Sequence, residues 1–231
     1  MCHSFCTVTV PVPHRQHGLV PARREAKFFA PTAGDKPWTS GSFGCVRTDG
    51  FQMHEGLDIH SLQHDRHGEP TDPVMATADG TVMYVNTKPG LSNYGKYIVI
   101  RHVIDGLEIY SLYAHLSETS VTTGQAVRAG TVIATMGRTS NTSERIGKER
   151  AHVHFELNLL INDNYATWFK KNSTPGERND HGNWNGKNLG GPRSARNPAR
   201  RTRCKIQPAE LRPQPDGIVP CGRAFDQFFR I

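Results

Sequence analysis

The feature that most constrains the fold is a series of short stretches, between residues 44 and 160, in which apolar and polar residues alternate between turn-forming residues. None of this region shows the periodicity and end caps of an α-helix. The pair Asp105-Gly106, which separates two such stretches, is typical of a two-residue hairpin turn. We therefore predict an all-β, antiparallel domain, sandwich-like or barrel-like. The predicted strands cover residues 73–78, 80–85, 96–102, 107–114, 126–127, 131–136 and 151–160.

The sequence on either side of this region has a different character. Residues 1–43 mix Pro, Arg and His without a sustained period and predict an irregular leader. Residues 163–231 are rich in Asn, Gly, Arg and Pro and predict a loop-rich, basic C-terminal extension. We therefore expect the domain itself to occupy residues 44–162. The mean hydropathy of −0.56 agrees with part of the 231-residue chain lying outside a core.

Positive charge is concentrated in the flanks, so the net charge of +7 does not by itself indicate a nucleic-acid-binding domain. The arginine-rich residues 193–231 have neither an aromatic platform nor a recognised nucleic-acid-binding motif, and we expect no nucleic-acid partner. No apolar run approaches the roughly 18 residues of a membrane span. No basic segment followed by an apolar one, as in a signal peptide, is visible at the N-terminus.

Cysteine is a poor candidate for a metal ligand in this chain. The five cysteines are scattered mostly in the flanks, without a CxxC pair, and predict neither a disulfide framework nor a cysteine zinc site. The chain has 12 histidines, and three groups of them stand out. The first group pairs His54 with Asp58, which in an extended chain would lie about 13 Å apart. Gly56 between them gives the backbone the freedom to bend, so that both could reach one metal ion. Taken alone, however, the pair is more typical of a surface loop with incidental polar residues.

The second group is His152-Val153-His154-Phe155-Glu156. In a strand, alternation places His152, His154 and Glu156 on one face. Two neighbouring imidazoles repel each other if both are protonated, and a metal that keeps one neutral would explain their proximity. The alternative interpretation is a polar, solvent-facing side of the strand. The third group is the single His115 at the end of a predicted strand.

In this order, these residues resemble the lysostaphin/LytM-type zinc metalloendopeptidases, which cut the peptide part of bacterial peptidoglycan. The similarity covers residues 44–160, including the connecting segments 74–82, 94–102 and 121–127. The motifs that carry it are His54-Glu55-Gly56-Leu57-Asp58, Tyr113-Ala114-His115-Leu116-Ser117 and His152-Val153-His154-Phe155-Glu156. The resemblance implies a fold of the duplicated-hybrid-motif type and an endopeptidase acting on peptidoglycan stems or bridges. Such a substrate implies a periplasmic, cell-envelope or secreted location.

The resemblance also implies one zinc ion per chain, with His54, Asp58 and His154 as its ligands. Three protein ligands leave a fourth position open, as a catalytic zinc requires. His115 and His152 would lie beside a zinc-held water that attacks the scissile carbonyl, and would act as the catalytic residues.

One alternative keeps the fold without the chemistry. Some relatives have lost zinc ligands and activate other cell-wall hydrolases as non-catalytic partners; this alternative predicts a missing ligand, whereas all three are present here.

Two segments, 61–72 and 137–152, are longer and more charged than is usual in the family, and the second is expected to border the substrate groove. His60, His64 and His67 lie in or beside the first, where a solvated loop is favoured over a second metal site. His102 and Glu156 are expected to support the site or the structure around it.

Overall fold

The computed structural model describes residues 25–47, 52–142 and 145–191. Its helices are α1 (Glu25–Phe28) and α2 (Tyr165–Asn172), with short 3-10 turns at Trp38–Gly41, Pro89–Leu91, Lys148–Arg150, Gly182–Trp184 and Gly186–Asn188. The strands are β1 (Val46–Arg47), β2 (Gln52–Met53), β3 (Leu57–His60), β4 (Pro73–Met75), β5 (Gly80–Asn86), β6 (Lys96–Ile104), β7 (Leu107–Leu116), β8 (Glu118–Thr119), β9 (Ala126–Val127), β10 (Val132–Thr135), β11 (His152–Leu160) and β12 (Leu189–Gly190). No helix within these described ranges has the length and apolar character needed to cross a membrane.

The strands form open antiparallel sheets. The largest has the order β12-β11-β7-β6-β5-β9, and β3 pairs with β11 beside it. A smaller sheet has the order β4-β10-β8, and β1 pairs with β2. At the β6–β7 hairpin, Asp105 and Gly106 both have positive φ, at 50° and 78°, as a tight hairpin turn requires. The predicted all-β, antiparallel fold is confirmed, without a closed barrel among the described strands.

The main core lies between the large and the small sheet. Alternate residues of the large sheet, such as Ile98, Ile100 and Val153, face Val74 and Ile133 of the small sheet, and all five are fully buried. Burial of these side chains on one face leaves the alternate residues of the same strands on the other face. That other face carries the polar side chains of the candidate site.

Part of that second face is covered by the chain that follows α2. Tyr97, Tyr110 and Leu112 form a second buried cluster with Leu189, and Trp184 packs against it. His181 attaches this covering segment to the rest of the domain. Its ring hydrogen-bonds to the Tyr84 hydroxyl at 2.9 Å and to the Leu91 carbonyl at 3.1 Å. The expected loop-rich extension therefore begins with a packed segment, while residues 192–231, which include the basic tail, lie outside the described residues.

The described part of the predicted leader, residues 25–43, contributes side chains to the core. Phe28, Phe29 and Ala30 are buried. Phe29 bridges to Ile59, and the Ala30 amide donates to the Asp58 carbonyl at 2.8 Å. This apolar stretch is too short to show a period, which is why the alternation rule does not detect it. Cys45, which follows, is disulfide-bonded.

The two longer segments, 61–72 and 137–152, are joined to each other. Nε and Nη2 of Arg138 each donate to one carboxylate oxygen of Glu69 at 2.7 Å. Lys148 donates to the His67 carbonyl at 2.6 Å. The hydrogen bonds and charge of Arg138 lower the pKa of Glu69 from 4.5 to about 2, despite some opposing desolvation. A fork-shaped pair of this kind fixes orientation as well as distance.

Replacing Glu69 with Gln tests this connection. Because the folded-state pKa is depressed, the pair stabilises the protein fully above about pH 4.5, and this stabilisation is lost as the pH falls toward 2. We expect Glu69→Gln to lower the Tm of the metal-free protein by about 1–3 °C at pH 7 and to match the wild type near pH 2. Glu118→Gln, an exposed carboxylate on β8, is the control and should change little. An equal Tm difference at both pH values would contradict this assignment.

Candidate metal centre

Asp58 and His154 meet because of the register between β3 and β11. In this antiparallel pair, Asp58 lies directly opposite His154, so both side chains project from the same face. The Asp58 Oδ1 atom is 2.8 Å from His154 Nδ1. His54, which precedes β3, places its Nε2 3.1 Å from Asp58 Oδ1 and 3.1 Å from His154 Nδ1. The three side chains are buried and could together hold a metal ion.

Gly56 permits this convergence for a different reason from the one expected. Its φ is not among the positive ones, so no glycine-specific turn is needed. A Cβ at this position would instead collide with the Phe155 carbonyl and would lie 2.9 Å from His154 Cε1. Glycine is required here because the backbone before β3 passes directly over β11.

Each of the two histidines in this group has one nitrogen occupied by another partner. His54 Nδ1 donates to the Ser42 carbonyl at 2.9 Å, which leaves Nε2 facing Asp58. His154 Nε2 donates to Glu156 Oε1 at 2.7 Å, which leaves Nδ1 facing the same point. Hydrogen bonds of this type fix the tautomer and ring orientation of metal-binding histidines.

His152 and His115 lie beside this group. His152 Nδ1 donates to the Arg150 carbonyl at 2.6 Å, and its Nε2 is 3.5 Å from Asp58 Oδ1. His115 Nδ1 donates to the Thr139 carbonyl at 2.9 Å. The ring centroids of His115 and His152 are 4.8 Å apart. The structure thus brings all five residues singled out from the sequence to one place.

His115 reaches the site through a bulge that the sequence did not reveal. Strict alternation along β7 would put His115 on the core face, with Tyr113. The register instead shifts between the pairs Ile98↔Tyr113 and Lys96↔Leu116, so Ala114 and His115 together oppose Tyr97. His115 also has a φ of 61°. A bulge re-aims a side chain in this way, and a non-glycine residue at positive φ persists only where its surroundings hold it.

Burial and charge set the protonation of the two flanking histidines. Burial, reinforced by the neighbouring His152 and His154, holds the pKa of His115 well below its usual value. Burial also lowers the pKa of His152, although Asp58 opposes the shift. Both imidazoles are therefore neutral near pH 7 and able to accept a proton.

The carboxylates of the site stay ionised although they are buried. Burial works to raise the pKa of Asp58, but His152, His54 and the hydrogen bond from His154 hold it well below its usual value. Burial likewise opposes ionisation of Glu156, whose pKa is nevertheless lowered by its hydrogen bonds. Burial disfavours protonated His154, but bonds to these two carboxylates raise its pKa to about 10. The site thus favours positive charge at its centre.

Glu156 belongs to a further set of contacts behind His154. Tyr94 donates its hydroxyl to Glu156 Oε1 at 2.8 Å, and Asn158 donates to Oε2 at 2.7 Å. Glu156 therefore lies where we expected it, beside His154, whose ring it holds by a hydrogen bond. The sequence did not single out the contact of Tyr94, since the two residues are 62 positions apart.

The remaining histidines have other surroundings. His102 shares the core face of β6 and bonds to Ser111 Oγ at 2.7 Å and to the Asp79 carbonyl at 2.8 Å, so its contacts are structural. His60 bonds to the Glu149 carbonyl at 3.1 Å and His64 to Ser61 Oγ at 2.9 Å. Within the described part of the chain, the histidines near segment 61–72 form no second metal-binding group.

Arg47 is a neighbour of the site that sequence reasoning missed. Its Nη2 donates to Asp58 Oδ2 at 2.6 Å. Arg47 lies in β1, 11 residues before Asp58, and no spacing rule connects the two.

Comparison with known proteins finds similar proteins in bacteria. A protein from Pseudomonas aeruginosa described as a lipoprotein NlpD/LppB homolog is 34% identical over 130 residues, which cover 55% of this chain and 37% of that protein. The murein hydrolase activator NlpD of Escherichia coli is 40% identical over 104 residues, 45% of this chain and 22% of that protein. This chain therefore spans well under half the length of either relative.

One solved structure to which this chain is similar is the catalytic domain of lysostaphin from Staphylococcus simulans. It is 20% identical, with a TM-score of 0.38, over 59% of this chain and 84% of that domain. The model of the family described as Peptidase family M23 matches residues 52–167, which contain His54, Asp58, His115, His152 and His154. The chain belongs to peptidase family M23.

Proposed function

We propose that this chain is a zinc-dependent endopeptidase that hydrolyses peptide crosslinks of bacterial peptidoglycan. The observation that carries the proposal is the meeting of a complete His54–Asp58–His154 group with two further histidines, His115 and His152, beside it. The protein would work in the periplasm, in the cell envelope or outside the cell, where this substrate is found. A relative described as a lipoprotein supports an envelope location.

The donor set fits one zinc ion. Two atoms bound to zinc at about 2.0–2.1 Å in a tetrahedron are about 3.3 Å apart. The three donor atoms here are 2.8–3.1 Å apart, so small side-chain shifts would admit the ion. Two imidazole nitrogens and one carboxylate oxygen are ordinary zinc ligands, and three of them leave a position for water or substrate.

When bound, zinc would supply a Lewis acid that polarises the scissile carbonyl and makes water more acidic. His152, held by the Arg150 carbonyl, would take the proton of the attacking water at Nε2. His115, held by the Thr139 carbonyl, would accept a hydrogen bond from the water at Nε2 and so orient it, and His152 would then pass the proton it has taken to the leaving amine. Their burial keeps competing water away from these protons.

A second candidate function is activation of other cell-wall hydrolases without catalysis. It is favoured by the 40% identity to the activator NlpD of Escherichia coli. The complete set of candidate ligands and flanking histidines supports the endopeptidase instead. Burying so many polar side chains costs folding free energy, and a non-catalytic activator has no need of such a cluster. The two functions differ in whether the purified chain alone releases peptidoglycan fragments.

Substitution of His154 and His152 separates metal binding from proton transfer. We expect the wild type to hold about one zinc per chain and to release crosslink fragments from purified peptidoglycan. His154→Ala should lose most of its zinc, because a ligand is missing. His152→Ala should keep its zinc while kcat falls by about 10²–10⁴-fold. Zinc content is measured by atomic absorption and cleavage by chromatography of released fragments.

The control for this experiment is His67→Ala, which removes an exposed imidazole from segment 61–72 and should change neither quantity. Zinc-loaded wild-type protein that cleaves no peptidoglycan but stimulates another hydrolase would favour the activator. Wild-type protein that binds no zinc would refute both the cofactor and the reaction.

Glu156→Gln tests the support behind His154. The substitution keeps the shape of the side chain but removes the charge that accepts from His154 Nε2 and the Tyr94 hydroxyl. We expect zinc affinity to fall about 10–100-fold, as competition with a chromophoric chelator would measure. Glu108→Gln, an exposed carboxylate on β7, controls for loss of charge alone. Equal zinc affinity in wild type and Glu156→Gln would assign Glu156 a purely structural role.

A further inference from the structure

The two carboxylate oxygens of Asp58 have separate neighbours. Oδ1 faces His54 Nε2 at 3.1 Å and His154 Nδ1 at 2.8 Å. Oδ2 faces away from these nitrogens and accepts from Arg47 Nη2 at 2.6 Å. The side chain of Asp58 is 4% exposed, so Arg47 rather than bulk water satisfies this second oxygen.

Arg47 is itself held in place from two sides. Its Nη2 also donates to the Ser40 carbonyl at 2.9 Å, and its side chain is 21% exposed. Arg47 pairs with Gln52 between β1 and β2, and β2 leads directly into His54, whose amide donates to the Cys45 carbonyl at 2.8 Å. The guanidinium and the first histidine therefore belong to one folded unit, and Arg47 can hold Asp58 without extra ordering of a free side chain.

We propose that Arg47 is a positioning residue: it holds Oδ2 of Asp58 by a hydrogen bond, so that this carboxylate binds the metal through one oxygen only, Oδ1. The inference rests on the zinc site of the proposed function. It concerns how many oxygen atoms of Asp58 bind the metal. A carboxylate can bind a metal with one or both oxygens, and zinc accepts a fifth ligand. By holding Oδ2, Arg47 keeps the remaining position open for the substrate.

This role predicts opposite effects on metal affinity and on turnover. Without Arg47, a buried carboxylate oxygen is left unpaired, and the metal ion is the nearest cation that can satisfy it. Loss of the guanidinium also removes a positive charge that repels the metal. Arg47→Met should therefore bind metal at least as tightly as the wild type while kcat on peptidoglycan falls about tenfold or more. A merely structural role would lower both quantities.

The test uses the full chain loaded with Co²⁺ in place of zinc, without any need for activity. The visible absorption of Co²⁺ is strong in a four-coordinate tetrahedral site and weakens when a fifth ligand binds. We expect weaker absorption for Arg47→Met than for the wild type, with an equal or lower Kd for Co²⁺. Arg47→Lys, which keeps the charge and one donor, should restore the wild-type spectrum. Arg101→Met, which removes a half-exposed arginine from β6, is the matched control.

Each other result decides against the proposal. An Arg47→Met spectrum and turnover identical to the wild type would show that Oδ2 needs no partner. Weaker Co²⁺ binding with lower stability would assign Arg47 to the fold alone. If Arg47→Met does not fold, Arg47→Gln, which is too short to reach Oδ2, serves the same test, and failure of both to fold with Co²⁺ present also overturns it. Wild-type protein that binds no Co²⁺ would contradict the proposed function instead.

Discussion

The candidate site depends on the register of one short antiparallel strand pair. Asp58 can share a point with His154 because β3 pairs with β11 so that these two residues are directly opposite. A slip of one residue would turn Asp58 toward the core and bring an apolar neighbour, Leu57 or Ile59, into its place. The register is fixed by the core, since Ile59 and Val153 are both fully buried on the other face. Hydrophobic packing on one side of the sheet thus determines polar chemistry on the other.

The polar face is stable only as a fully connected set. Ionised carboxylates and several imidazoles lie together with little access to water, an arrangement that would be unfavourable if each were alone. Each of the four histidines donates one nitrogen to a carbonyl or carboxylate, and each carboxylate is held by several donors. Two of the backbone carbonyls that accept these bonds, those of Thr139 and Arg150, belong to segment 137–152, and the third, that of Ser42, precedes β1. The site is therefore preorganised by the fold around it, as accurate placement of catalytic groups requires.

Much of this arrangement follows from the sequence, and the parts that do not have physical reasons. Alternation in residues 152–156 correctly placed His152, His154 and Glu156 on one face, and the Asp105-Gly106 pair located the central hairpin. Composition and periodicity alone did not select the ligands; the order of several motifs did. The bulge at His115 breaks the alternation rule on which strand prediction rests, so no local pattern reports it. The contacts of Arg47 and Tyr94 join residues far apart in sequence, which only the folded chain brings together.

Residues before the family match also make contacts of this kind, between positions far apart in sequence. The match to the family begins at residue 52, yet the carbonyl that orients His54 belongs to Ser42 and the cation that holds Asp58 belongs to Arg47. A fragment cut at the boundary of sequence similarity would retain every candidate ligand and lose both of these supports. Phe28 and Phe29, which close the core beside β3, would be lost with them. The folded unit that forms the candidate site is therefore larger than the matched region, and it includes Phe28, 24 residues before that region begins.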